Sequence, residues 1–117
     1  MPFNAVNENS VNEEKTGRGY TKWLYHTGDR MEPSIMIRHW GPETNIPVHS
    51  HPFNEMFYVL DGEIEIGGTV YTTGACIYIP KGVAYGPTKA PKGGRVLRYA
   101  ESARASRETA PGTSTNG

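Results

Sequence analysis

A chain of 117 residues with 12 basic and 12 acidic side chains carries no net charge, which removes the electrostatic case for a nucleic-acid partner. Its length suits one domain and excludes a second. Cys76 is the only cysteine, so no internal disulfide forms and nothing requires an oxidising compartment. No apolar run reaches the ~20 residues of a membrane span, and the first residues lack the charged-then-apolar layout of a secretory leader. The expectation is a cytoplasmic protein without a membrane partner.

Residues 1–18 are polar and rich in Asn and Glu. They hold too little apolar surface to order themselves and read as a flexible arm, or as an arm that pairs along the sheet edge of a second copy. Tyr20–His26 (YTKWLYH) and Ser34–Trp40 (SIMIRHW) are rich in β-formers and read as strands, separated by the turn residues Thr27, Gly28 and Asp29. His26 reads as an ordinary strand histidine. His39 is open: it joins an interior site if Ile35, Ile37 and His39 face inward, and not if Met36, Arg38 and Trp40 do, and both sets contain large apolar residues.

From Glu55 the chain alternates again. Glu55, Phe57 and Val59 share one face while Met56, Tyr58 and Leu60 share the other, and apolar residues on both faces suggest a strand covered on both sides. Asp61-Gly62 and Gly67-Gly68 are tight hairpin signals, because type I′ turns need positive φ. A further turn at Thr73-Gly74 precedes a buried strand, Ala75–Ile79, in which Cys76 reads as a small buried hydrophobe. Tyr85–Thr88 and Arg95–Tyr99 complete the pattern, joined by a loop over Ala90–Gly94. Short strands at even spacing with no helical period define an all-β sandwich or barrel over residues 19–100. Residues 101–117 turn to Ser, Thr, Ala, Arg and Gly and read as a flexible tail.

The chemistry concentrates between Gly41 and Gly62, GPETNIPVHSHPFNEMFYVLDG. His49 and His51 stand at i and i+2, so on a strand both imidazoles face one side and Ser50 the other. Pro52, Phe53 and Asn54 form a turn, and a strand folding back from it brings Glu55 beside the histidines. Two imidazoles and one carboxylate on adjacent strands suit Zn, Fe, Mn, Ni or Co.

This spacing, H-S-H, three residues, E, six residues, G, resembles the first motif of the cupin superfamily, and GACIYIPKGVAY over Gly74–Tyr85 resembles the second, with Gly74, Pro80 and Gly82 in register. The motifs span Gly41 to about Lys89, and flanking strands carry the resemblance over roughly Tyr20–Ala100. The sequence departs from the pattern in a longer gap between Gly41 and His49, in Ala75 where Asp is common, and in Tyr85 where the third metal-binding histidine stands. The resemblance implies a single cupin-type β-barrel, a homodimer, and one divalent metal, Fe2+ foremost, with Zn2+, Mn2+, Ni2+ and Co2+ accepting the same donors. His49, His51 and Glu55 are the implied ligands, and Tyr85 and His39 are further candidates. Tyr85 reads first as a packing or pocket residue, then as an acid–base group, then as a phenolate ligand. The implied function is a metal-dependent enzyme acting on a small organic molecule by dioxygenase-type oxidation or cleavage. A lyase, isomerase or decarboxylase without O2, and a small-molecule sensor without turnover, are the alternatives.

Overall fold

The computed structural model describes residues 3–17 and 19–102, together with the backbone of Glu108–Thr109. Eleven strands follow one another: β1 (Glu14–Thr16), β2 (Gly19–Tyr25), β3 (Ser34–Trp40), β4 (Asn45–Ile46), β5 (His49–Ser50), β6 (Glu55–Ile66), β7 (Thr69–Thr72), β8 (Cys76–Ile79), β9 (Thr88–Lys89), β10 (Gly94–Ala100) and β11 (Glu108–Thr109). Among the described residues there is no α-helix, only a 3-10 turn at Glu8–Ser10. No helix there is long and apolar enough to cross a membrane.

The long strand β6 is the spine. Its first half lies antiparallel between β10 and β8, and its second half pairs with β7 and β9. The main sheet runs β1-β2-β3-β10-β6-β9-β4 and curls into a half-barrel. Two-residue periodicity decides what faces inward. Met36, Arg38 and Trp40 of β3, Glu55, Phe57 and Val59 of β6, and Val96 of β10 are all buried. Trp40, Ile46, Phe57, Val59, Ile64, Ile79, Ala90 and Val96 form the apolar core.

Three sequence expectations are revised. Asp61-Gly62 does not reverse the chain, because β6 runs through it. The positive φ of Gly62 (72°) serves a bend instead, where the register against β10 shifts between Arg95 and Val96. A Cβ at Gly62 would collide with the Gly93 carbonyl oxygen. Strand β8 is covered on one face only: Ile79 is buried while Cys76 and Tyr78 are exposed, so Cys76 is not a buried hydrophobe. The outer face of β6 is likewise not closed off, with Tyr58 exposed. The Gly67-Gly68 hairpin does form, pairing Ile66 with Thr69.

Within the stretch read as a flexible arm, β1 pairs with β2. Glu8 approaches Lys22 at 3.5 Å and Arg95 at 3.2 Å. Arg95 also holds Asp61 at 2.7 Å, and this hydrogen bond raises the Arg95 pKa further. Of the stretch read as a tail, residues 103–107 and 110–117 lie outside the described residues, while β11 runs antiparallel to β5, Thr109 opposite His49.

Candidate functional site

The interior face of the curled sheet holds a small cavity lined by Met36, Arg38 and Trp40 from β3, His49 and His51, Phe57 from β6, Arg98 from β10, and Ile46, Tyr85 and Thr88. Its free volume is about 10 Å3, room for about one water-sized sphere.

Local structure places each of these groups. The His49 Nδ1–H donates to the Pro47 carbonyl at 2.8 Å; a carbonyl only accepts, so the neutral ring keeps its lone pair on Nε2. A backbone bridge sets Tyr85 against His49, with Tyr85 N donating to His49 O at 2.9 Å and His49 N to Tyr85 O at 3.1 Å. The rings of His49 and Tyr85 then lie 4.7 Å apart, and those of His49 and His51 4.9 Å apart. The turn between His51 and Glu55 is clamped from outside. Lys81 N donates to the Asn54 side chain at 2.7 Å, Asn54 N to Glu101 Oε1 at 3.2 Å, and Gly82 N to His51 O at 2.8 Å. Hydrogen bonding from Asn54 lowers the Glu101 pKa.

Glu55 is 1% exposed; its Oε2 accepts a hydrogen bond, while Oε1 is buried without a hydrogen-bond partner among the described residues. Arg98 Nε donates to Oε2 at 2.6 Å, and Oε1 lies 3.5 Å from His51 Nε2. Arg98 also sits over the Phe53 ring at 5.6 Å, and Phe53 stacks on His51. Tyr85 Oη lies 3.4 Å from His51 Nε2.

The structure thus brings together His49, His51, Glu55 and Tyr85, and leaves out His39. Because Met36, Arg38 and Trp40 point inward, alternation turns His39 to the outer face, where it stacks on Tyr20 at 4.9 Å. His39 is therefore withdrawn as a ligand candidate. Arg98 and Thr88 were not singled out from the sequence. An arginine two positions from Val96 in a β-run was the available signal for Arg98, but only the pairing with β6 shows that it meets Glu55.

The metal that this barrel type implies can be tested against the donors. Among the described residues no group of three or more His, Cys, Asp or Glu side chains is spaced so that it could hold a metal ion. The donor types, two imidazoles and a carboxylate, are ones that a divalent metal accepts. Two ligands on one tetrahedral ion with bonds of ~2.1 Å lie ~3.4 Å apart, close to the spacing of His51 Nε2 from Glu55 Oε1 and Tyr85 Oη, 3.5 and 3.4 Å. The third group near His51 is a phenol where an imidazole would complete the usual set.

Strand order, curled sheet and interior imidazoles define a cupin-type barrel. The chain belongs to the ChrR cupin-like domain family, whose model matches residues 5–103. Solved structures agree on the fold. A putative acetylacetone dioxygenase from Methylibium petroleiphilum is similar at a TM-score of 0.79 with 14% identity, covering 97% of this chain and 85% of that one. A RmlC-like cupin from Shewanella frigidimarina gives 0.72 with 21% identity, covering 85% and 89%. The structure of Rhodobacter sphaeroides SigE in complex with the anti-sigma ChrR gives 0.65 with 17% identity, covering 80% of this chain and 51% of that one. Comparison with curated protein sequences returned no match.

Proposed function

We propose that this chain is a small metal-dependent cupin enzyme that oxidises or cleaves a small organic molecule in a dioxygenase-type reaction. The convergence of Glu55 Oε1 and Tyr85 Oη on His51 Nε2 carries the reading. His49, His51 and Glu55 would hold the ion. When bound, a divalent metal supplies Lewis-acid polarisation, and iron in a two-His, one-carboxylate face also supplies O2 chemistry.

The protein's own groups do the positioning. Pro47 fixes the His49 tautomer, and Arg98 holds the carboxylate of Glu55 from behind, as partners of a ligand orient it. Tyr85 Oη is the hydroxyl placed to give or take a proton beside His51. Trp40, Phe57, Ile46 and Met36 give the cavity an apolar wall, and a low local dielectric strengthens each polar interaction inside.

A second reading is a ligand-binding sensor without turnover. The likeness to the SigE–ChrR structure supports it. Elemental analysis of purified protein, with O2 uptake measured in the presence of small enolisable carbonyl compounds, separates the readings. Iron with O2 uptake supports the oxygenase. Zinc or manganese without O2 uptake assigns a lyase or isomerase, and absence of metal after growth in supplemented medium favours the sensor. The His49→Ala/His51→Ala variant should retain no metal, and full occupancy in it would sink the ligand assignment.

A further inference from the structure

The outer face of the sheet, on the side away from the cavity, carries an uncovered aromatic patch. Alternation sends Met56 and Tyr58 of β6, Cys76 and Tyr78 of β8, and Leu97 and Tyr99 of β10 to that face. Strand register sets them side by side in two rows, Tyr99–Met56–Tyr78 and Leu97–Tyr58–Cys76. None of the six is charged, and Tyr58, Tyr78 and Tyr99 are 41%, 61% and 38% exposed. The same face continues onto β3, where Ile37, opposite Leu97, is buried. The chain's own arm crosses there. Glu8 reaches Lys22, which stands opposite Ile37, and Arg95, two positions from Leu97. The arm leaves the tyrosines uncovered, and its own Phe3 and Val6 are 92% and 53% exposed.

One chain thus presents two apolar surfaces that do not meet each other. Tyrosine and methionine are the residue types that protein interfaces concentrate. A patch without charge meets its own copy with no like-charge repulsion, so a second copy fits it by symmetry. Area supports the same occupant. With an aromatic ring taken at ~200 Å2, the exposed parts of the patch and of Phe3 and Val6 come to on the order of 600 Å2 per copy. Two copies would then remove about 1,200 Å2 from water, the lower end of a specific interface. The patch without the arms falls short of that.

We infer that two copies of this chain pair through this face, sheet against sheet, with Tyr58, Tyr78 and Tyr99 at the centre and Phe3 and Val6 of each arm closing over the rim of the other copy. The pair is closed, because the same patch is used on both sides. The inference is independent of the metal reading, since the cavity lies on the opposite face of the same strands.

Sedimentation velocity of the full chain over a concentration series tests it. The wild type should pass from the mass of one chain to that of two with a Kd in the micromolar range, as for an interface at the small end of the scale, and stop there. Tyr58→Glu/Tyr78→Glu sets like charges against each other across the pair and should weaken it by at least ~30-fold, the loss expected of one interface hot spot. Both positions are exposed, so circular dichroism of the variant should match the wild type; if it does not fold, Tyr78→Ser and Phe3→Asp carry the test. Phe3→Asp should weaken pairing by about tenfold, as for a smaller contact at the rim. Cys76, the only cysteine, reports the face directly. A bulky maleimide should label it several-fold more slowly where the pair forms than in the tyrosine variant. A wild type that stays monomeric at about 100 µM, a mass that keeps rising with concentration, or a dimer that survives the tyrosine substitutions with Cys76 labelled at the monomer's rate overturns the inference. A dimer weakened by the tyrosine substitutions but unmoved by Phe3→Asp overturns the part given to the arm.

Discussion

Replacing Arg98 by Met probes the interior of the barrel most directly. Met keeps an unbranched stem of similar length while the guanidinium, and with it the cation over the Phe53 ring, is lost. Glu55, whose side chain is 0% exposed, then loses the partner that holds it at 2.6 Å. His51 lies 3.5 Å from its Oε1 and is charged only if protonated. The arginine side chain is 12% exposed, so solvent screening is small on both sides of the pair. Breaking a buried ion pair from one side costs about 3–5 kcal/mol, because the other charge stays buried. In a domain of this size each kcal/mol moves the midpoint by about 4 °C, so Arg98→Met should melt about 12–20 °C lower in chelator. Removing both charges relieves the penalty, so Arg98→Met/Glu55→Leu should recover most of the loss. Thermal and urea unfolding followed by circular dichroism measure both variants. A loss below about 1 kcal/mol in Arg98→Met, or a double variant no more stable than the single, would refute the reasoning that the pair is mutually dependent.

Tyr85→Phe keeps the ring against His49 and removes the hydroxyl. Metal content should stay near wild type while turnover falls by ~10²-fold, as for loss of a general acid or base; collapse of metal content would make Tyr85 a ligand. Glu101→Gln should flatten the acid limb of stability. The Glu101 pKa is lowered by hydrogen bonding from Asn54, so its contribution is present above the ordinary carboxylate pKa and lost as pH falls through the depressed one. Melts between neutral and acid pH read this, and identical pH profiles would refute it. A chain ending at Ser102 should keep a cooperative thermal transition, because the core residues all precede that point; a non-cooperative melt would show that pairing of Thr109 with His49 is needed for folding.

Local patterning made much of this protein legible. The strands at Ser34–Trp40 and Arg95–Tyr99, the Gly67-Gly68 hairpin and the inward set of Glu55, Phe57 and Val59 follow from period-two alternation and turn chemistry, which act within a few residues. The grouping of His49, His51 and Glu55 was readable for the same reason, since short spacings on strands leave few geometries; Tyr85 joined them only through the resemblance to the second cupin motif. Which face of β3 points inward was not readable, since Ile35-Ile37-His39 and Met36-Arg38-Trp40 are both apolar enough to be buried. Only the pairing of β3 with β10 settled that, excluding His39 and admitting Arg38. Asp61-Gly62 failed as a turn because positive φ suits a bulge as well as a reversal, and the neighbouring strand decides between them. The Arg98–Glu55 pair joins residues distant in the chain and so has no local signature. Strand order alone brought a second guanidinium, Arg38, into the interior.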